Sequence, residues 1–314
     1  MIKSVVSTAL PVDEKLEIQK NRIMPLRPDG KQKIFSVVTG THGDELEGQY
    51  VCYRLNQILK NNREKLGGIV DIYPALNPLG VDTITRGIPR FDLDMNRIFP
   101  GDSGGTMAEY VAAGVMEDLA KSDFCIDIHA SNIFLTEIPQ VRISEDTAEK
   151  LVPYAQKLNV DFIWVHGAAT VLQSTLAHSL NSIGVPTLVV EMGVGMRITR
   201  AYGEQLIDGI FNLMKYLDIW RGEVKEVRTP ILSRDPDEIL FINAPAAGIF
   251  LPEAAHWKNV KKDEVIGKIV NPLDGSVRAE LHSPDEGILF TIREYPVVNE
   301  GSLIARILKK EGRS

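Results

Sequence analysis

The stretch Ile34-Phe-Ser-Val-Val-Thr-Gly-Thr-His42-Gly-Asp44-Glu45 predicts a strand that ends at a glycine turn and continues into a helix. Residues 34–38 are β-branched or aromatic apart from one serine, which is typical of a buried strand. From Leu46 onward, apolar residues recur at the spacing of one helix face. His42 and Glu45 are therefore expected at the carboxyl end of a strand, the edge at which open α/β sheets bind ligands. A His nitrogen and a Glu oxygen placed there form half of a zinc site, although this His/Glu spacing is weak evidence by itself.

Strand-like runs alternate with amphipathic helical patterns from residue 31 to about residue 222. The predicted strands are Ile34–Val38, Ile69–Tyr73, Phe124–Ile128, Val141–Ile143, Phe162–Val165 and Thr187–Val190. This alternation predicts an α/β fold with a mixed, mostly parallel sheet that helices cover on both faces. Residues 1–30 carry few apolar anchors and are expected to be irregular or to form edge strands.

The composition changes after about residue 223. Glycine and proline recur there at short intervals between short β-type runs, and no convincing helical pattern appears. Such spacing predicts a small all-β domain, either a sandwich or a barrel. We therefore divide the chain into residues 1–222 and residues 223–314.

Composition and charge narrow the class of protein. With 314 residues, of which 44% are hydrophobic and 25% charged, the chain resembles a soluble globular protein of one or two domains. A net charge of −7 argues against nucleic-acid binding. The two cysteines, Cys52 and Cys125, predict no disulfide framework. No span of about eighteen apolar residues occurs, so we expect no membrane segment and a cytoplasmic protein. The sequence leaves open whether the chain forms a homo-oligomer.

A hydrolytic zinc site needs a third protein ligand, which is expected at the end of another strand. His129 fits, since it follows the mostly apolar run Phe124–Ile128 at the start of a loop. The alternative for a single histidine is a core residue bonded to a backbone carbonyl, but His42 and Glu45 at an equivalent strand end favour a ligand. Asp127 either faces the other side of its strand or orients a ligand.

Hydrolysis also needs a carboxylate near the metal that moves a proton. Glu191 directly follows the buried-looking run Thr187–Val190. A carboxylate there is costly to bury without a partner, so it is either functional or ion-paired. We favour a general acid/base, with a structural salt bridge as the alternative.

The long segment Asn77–Gly105 shows little periodicity, and long loops inside compact domains are usually functional. Its planar donors offer bidentate binding of a carboxylate and a cation for an oxyanion. These donors are Arg86, Arg90, Asn96 and Arg97. The alternative is a solvated basic turn that Asp92 and Asp94 neutralise.

Four motifs occur together and in a fixed order. They are His-Gly-Asp-Glu at 42–45, Asp-Leu-Asp-Met-Asn-Arg-Ile-Phe-Pro-Gly at 92–101, Asp-Ile-His-Ala at 127–130 and Val-Glu-Met-Gly at 190–193. With them the chain resembles the succinylglutamate desuccinylase/aspartoacylase family, a branch of the zinc carboxypeptidase-like superfamily. The resemblance covers nearly the whole chain, with residues 30–220 similar to the catalytic domain and the tail similar to the family's β-rich C-terminal domain.

The resemblance implies a role for each motif residue. His42, Glu45 and His129 match the ligands of one zinc ion per chain, and Glu191 matches the general acid/base. Asn96 and Arg97 match the pair that holds the substrate carboxylate. The arginine that polarises the scissile carbonyl corresponds to Arg90, with Arg86 as its rival, because Asp-Met rather than Asp-Leu precedes Asn-Arg here.

Residues 1–222 are thus expected to form a zinc-dependent catalytic domain that hydrolyses the amide bond of an N-acyl amino acid or a similar small amide. Two alternatives stay open. One is a metallocarboxypeptidase that acts on peptides. The other is a non-catalytic zinc- or ligand-binding protein, because the tail vaguely resembles a biotinyl/lipoyl-like fold, although it lacks the usual lysine. The identity of the acyl group and of the amine half does not follow from the sequence.

Overall fold

The computed structural model describes residues 1–28, 30–89, 91, 93–167 and 173–310. Its strands, in chain order, are β1 (Ile2–Ala9), β2 (Lys15–Ile23), β3 (Ile34–Thr39), β4 (Ile69–Tyr73), β5 (Phe124–His129), β6 (Leu135–Ser144), β7 (Phe162–His166), β8 (Thr187–Gly193), β9 (Ile231–Ser233), β10 (Ile239–Asn243), β11 (Gly248–Pro252), β12 (Lys258–Val260), β13 (Val265–Val270), β14 (Val277–His282), β15 (Gly287–Arg293), β16 (Val297–Val298) and β17 (Leu303–Lys309). Its helices are α1 (Glu47–Lys60), α2 (Pro78–Thr83), α3 (Met107–Leu119), α4 (Ala148–Ala155), α5 (Leu176–Ser182) and α6 (Arg200–Tyr216).

A large mixed sheet with a parallel centre organises the fold. Strands β4, β3, β5 and β8 lie side by side in this order, and each pair of neighbours is parallel. Antiparallel strands flank them, with β2 next to β4 and β6 next to β8. The carboxyl ends of β3, β5 and β8 therefore meet at one edge, as the prediction of a mixed sheet requires. That prediction is confirmed.

Helices cover both faces of this sheet. Alternate residues of each strand point to opposite faces. On one face, Phe35 and Ile126 pack in a buried core with side chains of α1, α4 and α6. On the other face, Val38 and Cys125 pack with side chains of α3 and α5. Both cores are continuous apolar clusters, and their burial stabilises the three-layer arrangement.

The strand β6 is much longer than the sequence predicted. The apolar pattern indicated only Val141–Ile143, whereas β6 spans Leu135–Ser144. Pro139 and several polar residues interrupt the apolar pattern that predicts a strand. The register with β8 shifts between Glu137 and Gln140. A proline in a strand interior is tolerated at such a bulge. Several polar residues of β6 line the cavity described below.

The first thirty residues are more regular than expected. Strands β1 and β2 pair as an antiparallel hairpin along β4, so β1 is an edge strand and β2 lies within the sheet. The side chain of Ile18 on β2 is buried, which fits an interior strand.

The C-terminal region is β-structured, as predicted. Strands β14, β13, β11 and β16 form a separate four-stranded antiparallel sheet, which shares one apolar core with residues of β10, β15 and β17. Strands β15, β17 and β10, however, continue the large sheet, because β15 pairs antiparallel with β6. Hydrogen bonds therefore cross from one region to the other, and the boundary between residues 222 and 223 stays a prediction.

Within the described ranges, no helix combines the length and the apolar character that crossing a membrane would require.

Candidate metal centre and active site

The turn between β3 and α1 carries His42 and Glu45. Gly40 opens the turn with φ of +66°, a conformation that favours glycine. A Cβ at Gly43 would lie 1.9 Å from the carbonyl carbon of Gly80, so the turn packs directly on α2. The backbone thereby holds both predicted ligands at the carboxyl end of β3.

The three predicted metal ligands converge. The Nδ1 atom of His42 lies 2.7 Å from Glu45 Oε1, and the Nδ1 atom of His129 lies 3.0 Å from Glu45 Oε2. One ligand atom from each residue can be chosen so that all three lie within 4.8 Å of one another, and all three residues are buried. His129 comes from the end of β5, so the sheet brings together residues that are distant in sequence.

The second nitrogen of each imidazole faces an aspartate. His42 Nε2 lies 2.9 Å from Asp94 Oδ1. His129 Nε2 lies 3.1 Å from Asp127 Oδ2, although the angle falls outside hydrogen-bond geometry. Metal-binding histidines commonly carry such a carboxylate behind the ring, which orients the imidazole and makes its other nitrogen a better ligand. The two rings therefore both present Nδ1 toward the space around Glu45.

The electrostatics of this cluster favour added positive charge. Burial would lower the pKa of His42, but hydrogen bonds to Asp94 and Glu45 outweigh burial and raise it. Burial would likewise lower the pKa of His129, yet Asp127 and Glu45 raise it well above its usual value. Burial would raise the pKa of Glu45, whereas the two imidazoles lower it. Each imidazole thus binds a proton more tightly than it would in water. The same carboxylates attract a metal ion, which would compete with that proton for the ring nitrogen.

The composition of the cluster fits a divalent metal ion. The carboxylates that contact the two imidazoles or lie next to them include Glu45, Asp94, Asp127 and Glu191. In the described part of the chain, two guanidiniums contact them, from Arg86 and Arg142. Both oxygens of Asp127 are buried without a hydrogen-bond partner among the described residues. Two imidazoles and a carboxylate are the ligands of many catalytic zinc sites, and a dication would offset the excess negative charge.

Glu191 lies beside the cluster on the neighbouring strand. It is the register partner of His129, so both side chains point to the same face of the sheet. Burial raises the pKa of Glu191, and the nearby Arg142 only partly offsets that effect. A carboxyl group with a raised pKa next to a metal site is suited to accept and return a proton.

A cavity of about 830 Å³ opens over this face of the sheet. Its walls include His42, Glu45, His129 and Glu191, so the predicted ligands and the predicted base border one space. Such a volume is within the usual range for small-molecule sites.

Asn96 and Arg97 also line the cavity. The Oδ1 atom of Asn96 accepts a hydrogen bond of 2.9 Å from the backbone N–H of Leu176, at the start of α5. This bond fixes the orientation of the amide, so its NH₂ group is free of the backbone of Leu176. Arg97 donates through Nη1 to the backbone carbonyl of Asn96 at 2.8 Å, so its guanidinium is held against the backbone of Asn96. Their role in substrate binding stays a prediction.

Of the two arginines predicted as candidates for polarising the carbonyl, the structure describes only Arg86. Arg86 lines the cavity and donates to Glu45 Oε1 at 2.8 Å, with a longer contact of 3.4 Å to Asp94 Oδ2. Arg90 lies outside the described residues. The choice between them therefore stays a prediction.

Sequence reasoning missed several residues of the cavity wall. Asp94 had been considered only as a neutralising charge, but it contacts His42. Glu137, Trp164 and Arg306 line the cavity and had not been singled out. Arg142 also lines it, and no motif in the sequence distinguishes it from other arginines. The available signal was the strand alternation of β6, which places Arg142 and Ser144 on one face, and both border the cavity.

Comparison with known proteins agrees with the geometry. Residues 31–217 match the family model for the succinylglutamate desuccinylase/aspartoacylase catalytic domain. An N-α-acetyl-L-2,4-diaminobutyric acid deacetylase from Halomonas elongata is 26% identical over 284 residues, which span 85% of this chain and 80% of that protein.

Solved structures share the whole fold. The product-bound ectoine utilization protein EutE (DoeB) from Ruegeria pomeroyi superposes with a TM-score of 0.82 at 20% identity, covering 97% of this chain and 93% of that one. A succinylglutamate desuccinylase/aspartoacylase from Rhodobacter sphaeroides superposes with a TM-score of 0.81 at 21% identity, covering 100% of this chain and 96% of that one. At such identities the likeness establishes the fold. Because the family model spans more than half of the chain, the resemblance seen in the four motifs is confirmed: the chain belongs to the succinylglutamate desuccinylase/aspartoacylase family of N-acyl amino acid deacylases.

Proposed function

We propose that the protein is a zinc-dependent deacylase that hydrolyses the amide bond of an N-acyl amino acid or a similar small amide. His42, Glu45 and His129 hold one zinc ion per chain, and Glu191 is the general acid/base. The relative from Halomonas elongata, whose name states deacetylation of an acetylated amino acid, supports this choice over a peptidase.

One observation carries the proposal. The three candidate ligands converge within 4.8 Å at the sheet edge, and Glu191 is the register partner of His129 on the adjoining strand. A structural zinc site is closed by four protein ligands, whereas this group supplies three and borders a cavity. A proton-accepting carboxylate next to an open metal position is the arrangement that metal-assisted amide hydrolysis uses.

The residues of the chain have distinct tasks in this reaction. When zinc is bound, it supplies a Lewis acid that activates water and polarises the amide carbonyl. Glu191 accepts a proton from the attacking water and delivers it to the nitrogen of the departing amine. Its raised pKa suits both transfers, because the same carboxyl must first take up and then release the proton. Asp94 holds the His42 imidazole by a hydrogen bond, and the charge of Asp127, 3.1 Å from His129 Nε2, favours the ring orientation that presents Nδ1.

The substrate is held by planar donors of the segment Asn77–Gly105. Asn96 and Arg97 bind a carboxylate of the amino-acid half through their planar N–H donors. Arg90, with Arg86 as the rival, stabilises the negative charge that develops on the amide oxygen. In the structure, Arg86 is bonded to Glu45 and Asp94, and a metal bound at Glu45 would compete for that carboxylate.

A hydrolysis screen tests the activity. Metal-loaded and chelator-treated protein are compared on N-acetyl, N-succinyl and longer N-acyl amino acids, with a set of dipeptides alongside. We expect turnover of N-acyl amino acids only in the metal-loaded sample, together with about one zinc per chain by elemental analysis. Turnover of dipeptides instead would support the peptidase, and a protein that purifies without metal and shows no turnover would contradict the proposal.

The role of Glu191 is tested by Glu191→Gln. We expect kcat to fall by about 10²–10⁴-fold, because proton transfer by a positioned side chain contributes that much. Zinc content should stay unchanged. Glu226→Gln is the matched control, since Glu226 is exposed and lies outside the cavity wall. Full activity of Glu191→Gln with intact metal content would overturn this assignment.

A further inference from the structure

The C-terminal region reaches the cavity through Arg306. This residue lies on β17 and lines the same cavity wall as Arg142 of β6. Both guanidinium carbons lie 5.6 Å from the ring centre of Trp164. The indole therefore restricts both side chains, which fixes where their N–H groups point.

A buried carboxylate joins the two arginines. Glu137 is 1% exposed, and its Oε1 accepts from Arg306 Nη1 at 2.7 Å and from Arg142 Nη2 at 3.1 Å. Its Oε2 accepts from the Gln140 amide at 2.8 Å and from the Thr291 hydroxyl at 2.6 Å. Glu137 thus has four donors, and two of them, Arg306 and Thr291, belong to the C-terminal strands. A buried carboxylate with every oxygen engaged has a single well-defined position.

The free end of Arg142 faces Glu191. Arg142 Nη1 lies 3.6 Å from Glu191 Oε1, and no other cation of the described residues lies within ion-pair distance of that carboxylate. Because Nη2 of the same planar group is held by Glu137, the position of Nη1 follows from the position of Glu137. A displacement of Glu137 would therefore move the cation that faces Glu191.

Charge balance explains why Arg306 matters for this contact. Glu137 carries one negative charge and is shared by two guanidiniums, so Arg142 keeps part of its positive charge for Glu191. If Arg306 lost its charge, Glu137 would be compensated by Arg142 alone. Since Glu137 is buried and Arg142 is only partly exposed, that attraction would be strong and would draw the guanidinium away from Glu191.

We propose that Arg306 is a positioning residue for the reaction, acting on Glu191 through Glu137 and Arg142. The C-terminal β region thereby completes the active site. This inference rests on the proposed function of Glu191, and it assigns a role to a region that the sequence left without one.

The kinetic test uses Arg306→Gln and Arg306→Lys. We expect Arg306→Gln to lower kcat by about 3–30-fold, which corresponds to the coupling usually carried by such networks, with KM nearly unchanged. Arg306→Lys keeps the positive charge beside Glu137 and should restore most of the rate. Zinc content should stay at about one per chain in both variants.

Epistasis separates positioning from a general structural role. In a Glu191→Gln background, adding Arg306→Gln should leave the single-turnover rate unchanged, because the group on which Arg306 acts is already lost. Arg293→Gln is the matched control. Arg293 is a buried arginine of β15 that donates only to backbone carbonyls in the described part of the chain. We expect Arg293→Gln to lower the melting temperature without a drop in kcat that depends on Glu191.

A second readout does not depend on turnover. In crystal structures of the wild type and of Arg306→Gln, the contact between Arg142 Nη1 and Glu191 should be present in the first and lost in the second. An unchanged contact, an unchanged kcat, or an equal effect of Arg306→Gln in the Glu191→Gln background would overturn the inference. An inactive wild type in which the contact still depends on Arg306 would count against the proposed function and not against the positioning.

Discussion

The large sheet carries two buried clusters of charge that differ in how completely they are neutralised. At the N-terminal hairpin, Lys20 and Arg22 face Asp71 and Asp118. Lys20 Nζ lies 2.9 Å from Asp71 Oδ2, Arg22 Nη2 lies 2.6 Å from the same oxygen, and Lys20 also donates to Asp118. Tyr73 donates a further bond of 2.8 Å to Asp118. Two cations match two carboxylates, and the exposed Lys121 lies 3.8 Å from Asp118 Oδ1 as a further cation.

The cluster at the carboxyl ends of β3, β5 and β8 is different. When His42 and His129 are neutral, as metal ligands must be, its carboxylates outnumber the guanidiniums that contact them. Asp127 lies 3.1 Å from His129 Nε2 but makes no hydrogen bond among the described residues. It also borders a cavity of about 830 Å³. Buried charge is costly unless it is paired, so a fold retains such an excess where a ligand or a metal supplies the missing charge. The comparison indicates that the first cluster stabilises the fold, and it favours the second as the candidate site for a metal.

Removal of a candidate ligand should give the largest effect. We expect His129→Ala to reduce zinc from about one per chain to near zero and to lower kcat/KM by at least about 10³-fold. The reason is that several kcal/mol of transition-state stabilisation depend on the metal. Elemental analysis and a deacylation assay measure both quantities. His282→Ala, at an exposed histidine of the C-terminal region, is the control. Full zinc content in His129→Ala would contradict the inference that the cluster at the carboxyl ends of β3, β5 and β8 binds the metal.

Asp71→Asn should act on stability instead. It leaves Lys20 and Arg22 without their shared buried carboxylate, which costs about 3–5 kcal/mol in the free energy of unfolding. Urea denaturation measures this loss, and zinc content of the folded protein should be unchanged. Asp208→Asn removes the exposed pair with Lys225 and should cost about 1 kcal/mol or less. Equal effects of the two substitutions would show that the hairpin cluster contributes no special stability.

Asp94→Asn should have an intermediate effect on the metal centre. The carboxylate that faces His42 Nε2 is replaced by an amide, so the imidazole loses its orienting charge. We expect zinc affinity to fall by about 10–100-fold, as is usual for such partners of metal-binding histidines. Competition with a chelator measures the affinity, and Asp82→Asn on the exposed side of α2 is the control. An unchanged affinity would mean that Asp94 only caps its local turn.

The smallest expected effect is on the free energy of unfolding of the metal-free protein, to which the two clusters contribute with opposite dependence on pH. Burial would lower the pKa of His42, but Asp94 and Glu45 raise it above 6.5. The stability that His42 contributes is therefore fully present below pH 6.5 and is lost as the pH rises through the higher folded value. Burial would raise the pKa of Asp118, whereas Lys20 and Tyr73 lower it below 3.8. Its contribution is present above pH 3.8 and is lost as the pH falls through the lower folded value.

Urea denaturation with a chelator, from acid to mildly alkaline pH, measures both the loss of stability at low pH (the acid limb) and the loss at high pH (the alkaline limb). Asp118→Asn should flatten the acid limb and leave the alkaline limb unchanged. Added zinc should stabilise more at higher pH, because protons compete with the metal for the imidazoles. Zinc stabilisation that is independent of pH would argue against histidine ligands.

The sequence predicted best the strands and helices whose apolar pattern matches their burial in the core. Strand Ile69–Tyr73 was predicted with its observed bounds, because all five of its residues are buried. Helix α3 agrees with the predicted alternation of strands and amphipathic helices, and the reciprocal hydrogen bonds of Thr106 and Glu109 fix its start. Strand β6 was mostly missed, since residues such as Glu137 and Arg142 face a polar cavity and remove the apolar signal.

The sequence by itself determined the carboxyl ends of β3, β5 and β8 to within a few residues, the candidate ligands His42, Glu45 and His129, the candidate base Glu191 and the family. These follow from patterns of a few residues, since strand and helix periodicity and the four motifs are local properties of the chain. Only the tertiary structure decided which groups stand behind the ligands and the base. Asp94 meets His42 from a separate loop, and Arg306 reaches Glu137 from the far end of the chain. Such contacts depend on the order and register of strands in the sheet, which no local pattern encodes.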